Sequence, residues 1–110
     1  MKNDEQMMDE IFFALSDKTR RHIVQTLLST DRPITVTELA EPYEMSLPAV
    51  SKHLKILMRS GLIKQEKEGR IRFCKVELDP MKSAFLWLGN YRMFWESNLD
   101  QLGKFLERED

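Results

Sequence analysis

A single cysteine, Cys74, stands in 110 residues, so no intramolecular disulfide can form and no thiolate cluster can hold zinc, as suits a reducing compartment. Cys74 reads as a small strand residue rather than a redox sensor. Histidine is almost as scarce, with only His22 and His53 present. No glycine-rich phosphate loop, no nucleophile placed beside a base and no His/carboxylate cluster occur, so the chain is expected to catalyse nothing and to hold no metal or cofactor. No apolar run approaches the roughly 20 residues of a bilayer span. The polar start Met1-Lys2-Asn3-Asp4-Glu5 lacks the basic and apolar regions of a signal peptide, and a cytoplasmic protein is expected.

What is present suits one globular domain: 42% of residues are hydrophobic and 32% charged, within the ordinary folded range. A chain this short buries a limited share of its surface alone, which favours pairing. The net charge of −1 conceals a segregation. Residues 46–76 hold eight basic side chains (Lys52, Lys55, Arg59, Lys64, Lys67, Arg70, Arg72 and Lys75) against Glu66 and Glu68, a net of +6, whereas residues 1–45 and 77–110 carry −4 and −3. A basic middle between acidic ends fits a centre that faces phosphates and termini with another task.

Apolar spacing predicts a first amphipathic helix over 4–15, with Met8, Ile11, Phe12 and Leu15 on one side. Asp17 can cap a second helix striped by Ile23, Val24, Leu27 and Leu28, and Thr35 with Glu38 forms a capping-box pattern for a short third helix that stops near Pro42. Ser46 can cap a helix over 47–60, with Pro48 in its first turn and Gly61 at its left-handed end. Val50, Leu54 and Leu57 take one side of it, and Ser51, Lys52, Lys55 and Arg59 the other, without a carboxylate. Cations neutralise phosphates, serine can bond to a base edge or a phosphate, and a helix N-terminus offers free N–H groups to an anion. A short helix, a turn through Tyr43-Glu44-Met45 and this basic helix make up a helix-turn-helix unit. Residues 63–67 and 71–76 then read as a hairpin turning through Glu68-Gly69-Arg70, a wing bearing Lys64, Lys67, Arg70 and Arg72, with Arg70 foremost. From Asp79 and Pro80 a last helix is expected almost to the end. Met81, Phe85, Leu88, Arg92, Trp95, Leu99, Leu102 and Leu106 form a heptad stripe broken only at Arg92, with Trp87, Tyr91 and Phe94 adjoining. That is more apolar surface than so small a chain can hide, and it implies a partner.

Four segments resemble the ArsR/SmtB family of winged-helix repressors: Ala14-Leu15-Ser16-Asp17-Lys18-Thr19-Arg20-Arg21-His22-Ile23, Thr37-Glu38-Leu39-Ala40, Ser46-Leu47-Pro48-Ala49-Val50-Ser51-Lys52-His53-Leu54-Lys55-Ile56-Leu57 with Gly61-Leu62-Ile63, and Glu68-Gly69-Arg70. The resemblance runs from about residue 10 to residue 80. It implies a five-helix domain with a wing that dimerises through its first and last helices and represses from an operator. Where metal-sensing members carry Cys-Val-Cys in their third helix, this chain has Thr35-Val36-Thr37, and its last helix has no histidine for the zinc site of other members. The run Trp87–Glu96 is similar to that of a subgroup without metal. His53 resembles the family's helix-packing histidine.

The fold class expected is mainly α with a small β-hairpin, a winged helix-turn-helix of about five helices and a two-stranded wing. One domain covers 1–110, with 1–15 and 79–107 flanking helices for dimerisation and 35–76 the helix-turn-helix and wing. The expected function is a dimeric, sequence-specific DNA-binding regulator that represses from a palindromic operator, with 47–60 in the major groove and the wing 63–76 beside it. Candidate DNA-facing residues are Ser46, Leu47, Pro48, Ser51, Lys52, Lys55, Arg59, Arg70 and Arg72; candidate dimer residues are Phe12, Phe85, Leu88, Trp95, Leu99 and Leu102. The rival reading is a winged-helix assembly module without specific DNA binding. A small apolar effector held between the aromatic last helices is a further expectation.

Overall fold

The structure, a computed structural model, describes residues 3–108, with the side chains of Tyr91, Arg92, Phe94, Trp95 and Arg108 outside the description. Its elements run α1 (Asp4–Leu15), α2 (Lys18–Leu28), β1 (Ile34–Thr35), α3 (Val36–Ala40), α4 (Leu47–Arg59), β2 (Ile63–Glu68), β3 (Ile71–Val76) and α5 (Leu78–Arg108). The chain divides into two compact units, residues 1–80 and 81–110. Among the described residues no helix is long and apolar enough to cross a membrane.

In the first unit α1, α2, α3 and α4 each start on a side chain that satisfies a backbone N–H left over by helix geometry. Asn3 and Gln6 form a complete capping box: Gln6 N–H donates to Asn3 Oδ1 at 2.8 Å, and Asn3 N–H to Gln6 Oε1 at 3.1 Å. Asp17, Thr35 and Ser46 each accept from the amide three residues on, at 3.1, 3.1 and 3.3 Å. The box expected at Thr35 is half formed, because the Glu38 carboxylate turns away to accept from Arg32 at 3.2 Å. Helix α4 ends at the Ser60 C-cap, and Gly61 follows at φ +81, the left-handed exit that glycine adopts without strain. A side chain there would also close to 3.4 Å on the Pro80 ring.

The core of this unit gathers Ile11 and Ala14 of α1, Ile23, Val24 and Leu27 of α2, Val36 and Leu39 of α3, Val50, Leu54 and Leu57 of α4, and Ile34, Ile63 and Cys74 from the strands, all buried. The strands form an antiparallel sheet in the order β1-β3-β2. β1 is an addition to the expected two-stranded wing: Ile34 pairs with Cys74 and Thr35 with Phe73. Two residues are too few to show an alternation, so only the pairing reveals the strand.

The hairpin is also tighter than expected. Glu68 pairs with Ile71, which leaves Gly69 and Arg70 as a two-residue turn instead of a three-residue one. Gly69 has φ +65, and among the described residues no non-glycine residue has positive φ. A glycine at the first central position followed by an ordinary residue is the type II′ pattern, whose twist matches that of the strands.

Helix α5 begins at Leu78, one residue before the expected Asp79 cap, with Pro80 still in the first turn, where its missing N–H breaks no helical bond. The second unit is the body of this helix. Phe85, Leu88, Leu99, Leu102 and Leu106 along it are all exposed.

Candidate nucleic-acid interface

Helix α4 owes its orientation to its apolar stripe. Val50, Leu54 and Leu57 are at most 1% exposed, and their spacing of four and three puts them on one side. At about 100° per residue, Pro48, Lys52, Lys55 and Arg59 come out on the other side, and all four are exposed. Ser46 and Leu47 are exposed at the start of the helix, and Ser51 is half-buried at the margin of the cationic face. The face combines an N-terminus without acidic residues in its first turn with two lysines that have no ion pair among the described residues, an arrangement that suits a polyanion.

Arg59 differs from the two lysines. Its Nε lies 3.7 Å from Oε1 of Glu10 on α1, so the folded chain supplies an acidic neighbour that the sequence of α4 does not reveal. Phe13, Ile56 and Asp9 complete a shallow cleft at this contact.

His53, on the flank of α4, carries the other tertiary contact that sequence spacing does not show. Arg20 of α2, 7% exposed, donates from Nε to the Ala14 carbonyl at 2.7 Å, from Nη2 to the Phe13 carbonyl at 3.2 Å, and from Nη1 to His53 Nδ1 at 3.2 Å. The guanidinium therefore closes the C-terminal end of α1 and holds the histidine of α4 with one fork. His53 is the hydrogen-bonded packing residue expected of it. Asp17 adjoins the group, its Oδ2 at 3.9 Å from His53 Nδ1. The backbone N–H of Arg20, aided by the nearby Arg20 guanidinium and the backbone N–H of Thr19, holds the Asp17 carboxyl below its ordinary value. No periodicity marks Arg20: an arginine inside a charged stretch of α2 reads as a surface residue.

The wing places Arg70 in the turn and Arg72 on β3, both exposed. Lys64 and Lys75 are engaged by Glu66, at 3.7 and 3.2 Å. Cys74 is fully buried in the middle of β3, and burial raises its thiol pKa, which keeps it protonated and unreactive. Of the candidate dimer residues, Phe12 is half-buried on α1, whereas Phe85, Leu88, Leu99 and Leu102 are exposed on α5; the Trp95 side chain lies outside the described residues.

Three buried-core helices, a basic helix after a turn and a hairpin wing define a winged helix-turn-helix protein. Residues 15–66 match the model of a helix-turn-helix domain family. The chain is 37% identical over 101 residues to the HTH-type transcriptional regulator Rv2034 of Mycobacterium tuberculosis, an alignment covering 92% of this chain and 90% of that protein. It is 30% identical over 84 residues to the transcriptional repressor SdpR of Bacillus subtilis, covering 76% and 91%. The crystal structure of an ArsR family transcriptional regulator, RHA00566, superposes with a TM-score of 0.77 at 39% identity, covering 88% of this chain and 98% of that one. The chain belongs to the ArsR family of winged helix-turn-helix transcriptional regulators. It is accordingly a DNA-binding regulator of transcription and not an enzyme.

Proposed function

We propose that the chain is a homodimeric repressor that works in the cytoplasm and occupies a palindromic operator, with α4 in the major groove of each half-site and the wing on the adjoining backbone. The observation that carries this reading is the exposed Lys52–Lys55 face of α4, opposite a fully buried Val50, Leu54 and Leu57 stripe. Ser46, Leu47, Pro48 and Ser51 stand at the end of the helix that would enter the groove first, and Arg59, Arg70 and Arg72 would meet the flanking phosphates. Phe12 on α1 is offered to a second copy, and so is the Phe85, Leu88, Trp95, Leu99 and Leu102 stripe of residues 79–107. A two-fold pairing would set two recognition helices about one DNA turn apart, which is why an inverted repeat is expected. An apolar effector bound between the paired last helices would release DNA by favouring a geometry that cannot span both half-sites.

Selection of the purified protein against a pool of random duplexes, repeated at two salt concentrations, tests the reading. An enriched inverted repeat, bound less tightly as salt rises, is expected. Recovery of no common sequence, with weak binding to all duplexes, would favour the assembly module instead.

A further inference from the structure

The wing carries its charges unequally on its two faces. Side chains alternate sides along a strand. Ile63, Gln65 and Lys67 of β2 therefore share a face with their partners Val76, Cys74 and Arg72, and Lys64, Glu66 and Glu68 share the other with Lys75, Phe73 and Ile71. On the second face two lysines stand directly opposite each other, and Glu66 reconciles them by pairing with both, which holds its own carboxyl below the ordinary range, chiefly through the Lys75 hydrogen bond. On the first face Lys67 and Arg72 stand directly opposite each other in the same way. Both are exposed, and among the described residues neither has a carboxylate in ion-pair reach. Like charges facing each other across a strand pair are destabilising, and an anion supplied from outside would relieve this pair.

We propose that Lys67 and Arg72 form a cradle that holds one phosphate of duplex DNA between them, and that this face of the wing, not the Lys64–Lys75 face, meets the DNA backbone. The inference rests on the reading of the chain as a DNA-binding repressor and says which side of the wing serves it. Opposed side chains leave the backbone with their Cβ atoms about 5 Å apart. Two long cationic side chains at that separation can converge on one anion at charge-assisted hydrogen-bond lengths of about 2.8 Å. The shared face is the one buried at its base through Ile63 and Cys74, so the cradle lies on the side of the sheet where the helices of this unit pack. The two-residue turn sets it one pair back from the tip, beside Arg70.

The test measures binding of the full chain to the enriched duplex over a salt series, for wild type, Lys67→Gln, Arg72→Gln, the double variant of these two, and the double variant Lys64→Gln with Lys75→Gln. Losing a neutralised phosphate flattens the slope of log K against log salt by about 0.9. The Lys67/Arg72 double variant is expected to lose about 0.9 per protomer, whereas either single variant keeps most of the slope because the remaining cation still neutralises the shared phosphate. The Lys64/Lys75 double variant is expected to keep the slope of wild type. Thermal melts without DNA should run the opposite way: the Lys67/Arg72 double variant melts at or above wild type as the repulsion goes, and the Lys64/Lys75 double variant melts below it as Glu66 loses its partners.

An unchanged slope in the Lys67/Arg72 double variant, full and additive steps in the two singles, a flattened slope in the Lys64/Lys75 variant, or a Lys67/Arg72 variant that melts below wild type would each overturn the cradle. A wild-type protein that shows no salt-dependent DNA binding would instead overturn the repressor reading itself, so the two failures are distinguishable.

Discussion

Arg20→Ala is expected to be among the most destabilising changes to a charged residue in this chain, and the cost can be worked from its contacts. The side chain is 7% exposed and donates three hydrogen bonds, to the carbonyls of Ala14 and Phe13 and to His53 Nδ1. Truncation leaves the buried Ala14 acceptor without its partner, at about 1–3 kcal/mol for a buried unsatisfied group. It also removes the positive charge from the C-terminal end of α1, worth about 0.3–1 kcal/mol, and the stem that packs between α1, α2 and α4. Relief of the desolvation of the guanidinium offsets part of this. The net expectation is a loss of about 3 kcal/mol, a large share of the roughly 5–15 kcal/mol of a typical domain.

Equilibrium urea denaturation at one fixed protein concentration, read by far-ultraviolet circular dichroism, measures it, with the m-value checked for constancy. Arg20→Lys is the informative companion: one ammonium cannot reproduce a planar fork that reaches three acceptors on two elements, so it should recover less than half of the loss. A loss below about 0.5 kcal/mol for Arg20→Ala, the level of an ordinary surface substitution, or full recovery by lysine, would refute the view that the fork holds α1 to the recognition helix.

Further expectations follow from single contacts. Asp17→Ala should cost about 1 kcal/mol through loss of the α2 cap, and Asp17→Asn much less, since asparagine caps as well. Because the folded-state pKa of Asp17 is lowered from its ordinary 3.8, the stabilisation from its charge is complete above that value and is lost as pH falls through the folded pKa; acid unfolding curves of Asp17→Asn should lack this component, and identical curves would contradict it. Gly69→Ala should cost about 1–2 kcal/mol by chemical denaturation, because alanine is strained at φ +65 while nothing lies within 4 Å of the added carbon; a neutral result would mean that the turn reshapes freely. Leu99→Asp with Leu102→Asp, both on the exposed stripe of α5, should shift sedimentation from dimer to monomer at micromolar protein without lowering the helix content of the first unit. An unchanged sedimentation coefficient would remove that stripe from the interface.

The parts of this protein that were legible from residues alone are those ruled by neighbours three or four positions apart. Asp17, Thr35 and Ser46 mark helix starts because a short polar side chain there is within reach of the free amides two and three residues on. Gly61 marks an end because its φ of +81 suits glycine, and the Val50, Leu54 and Leu57 stripe orients the Lys52 and Lys55 face of α4 without reference to any other element. What the chain does was legible for the same reason, since the basic face and the hairpin behind it are local features.

Tertiary structure alone decided the features that depend on elements far apart in the chain. β1 exists only because Ile34 finds Cys74. Arg20 is a core residue only because α1 ends and α4 passes where its fork points, and Arg59 acquires Glu10 only when α1 lies against α4. Register is the sharpest instance. A three-residue turn would have set Arg72 opposite Glu66, an ion pair; the two-residue turn sets it opposite Lys67, because a slip of one residue in a hairpin changes every cross-strand partner. The charges were written in the sequence, but which of them balance and which stand exposed to an anion was settled by one residue of turn length.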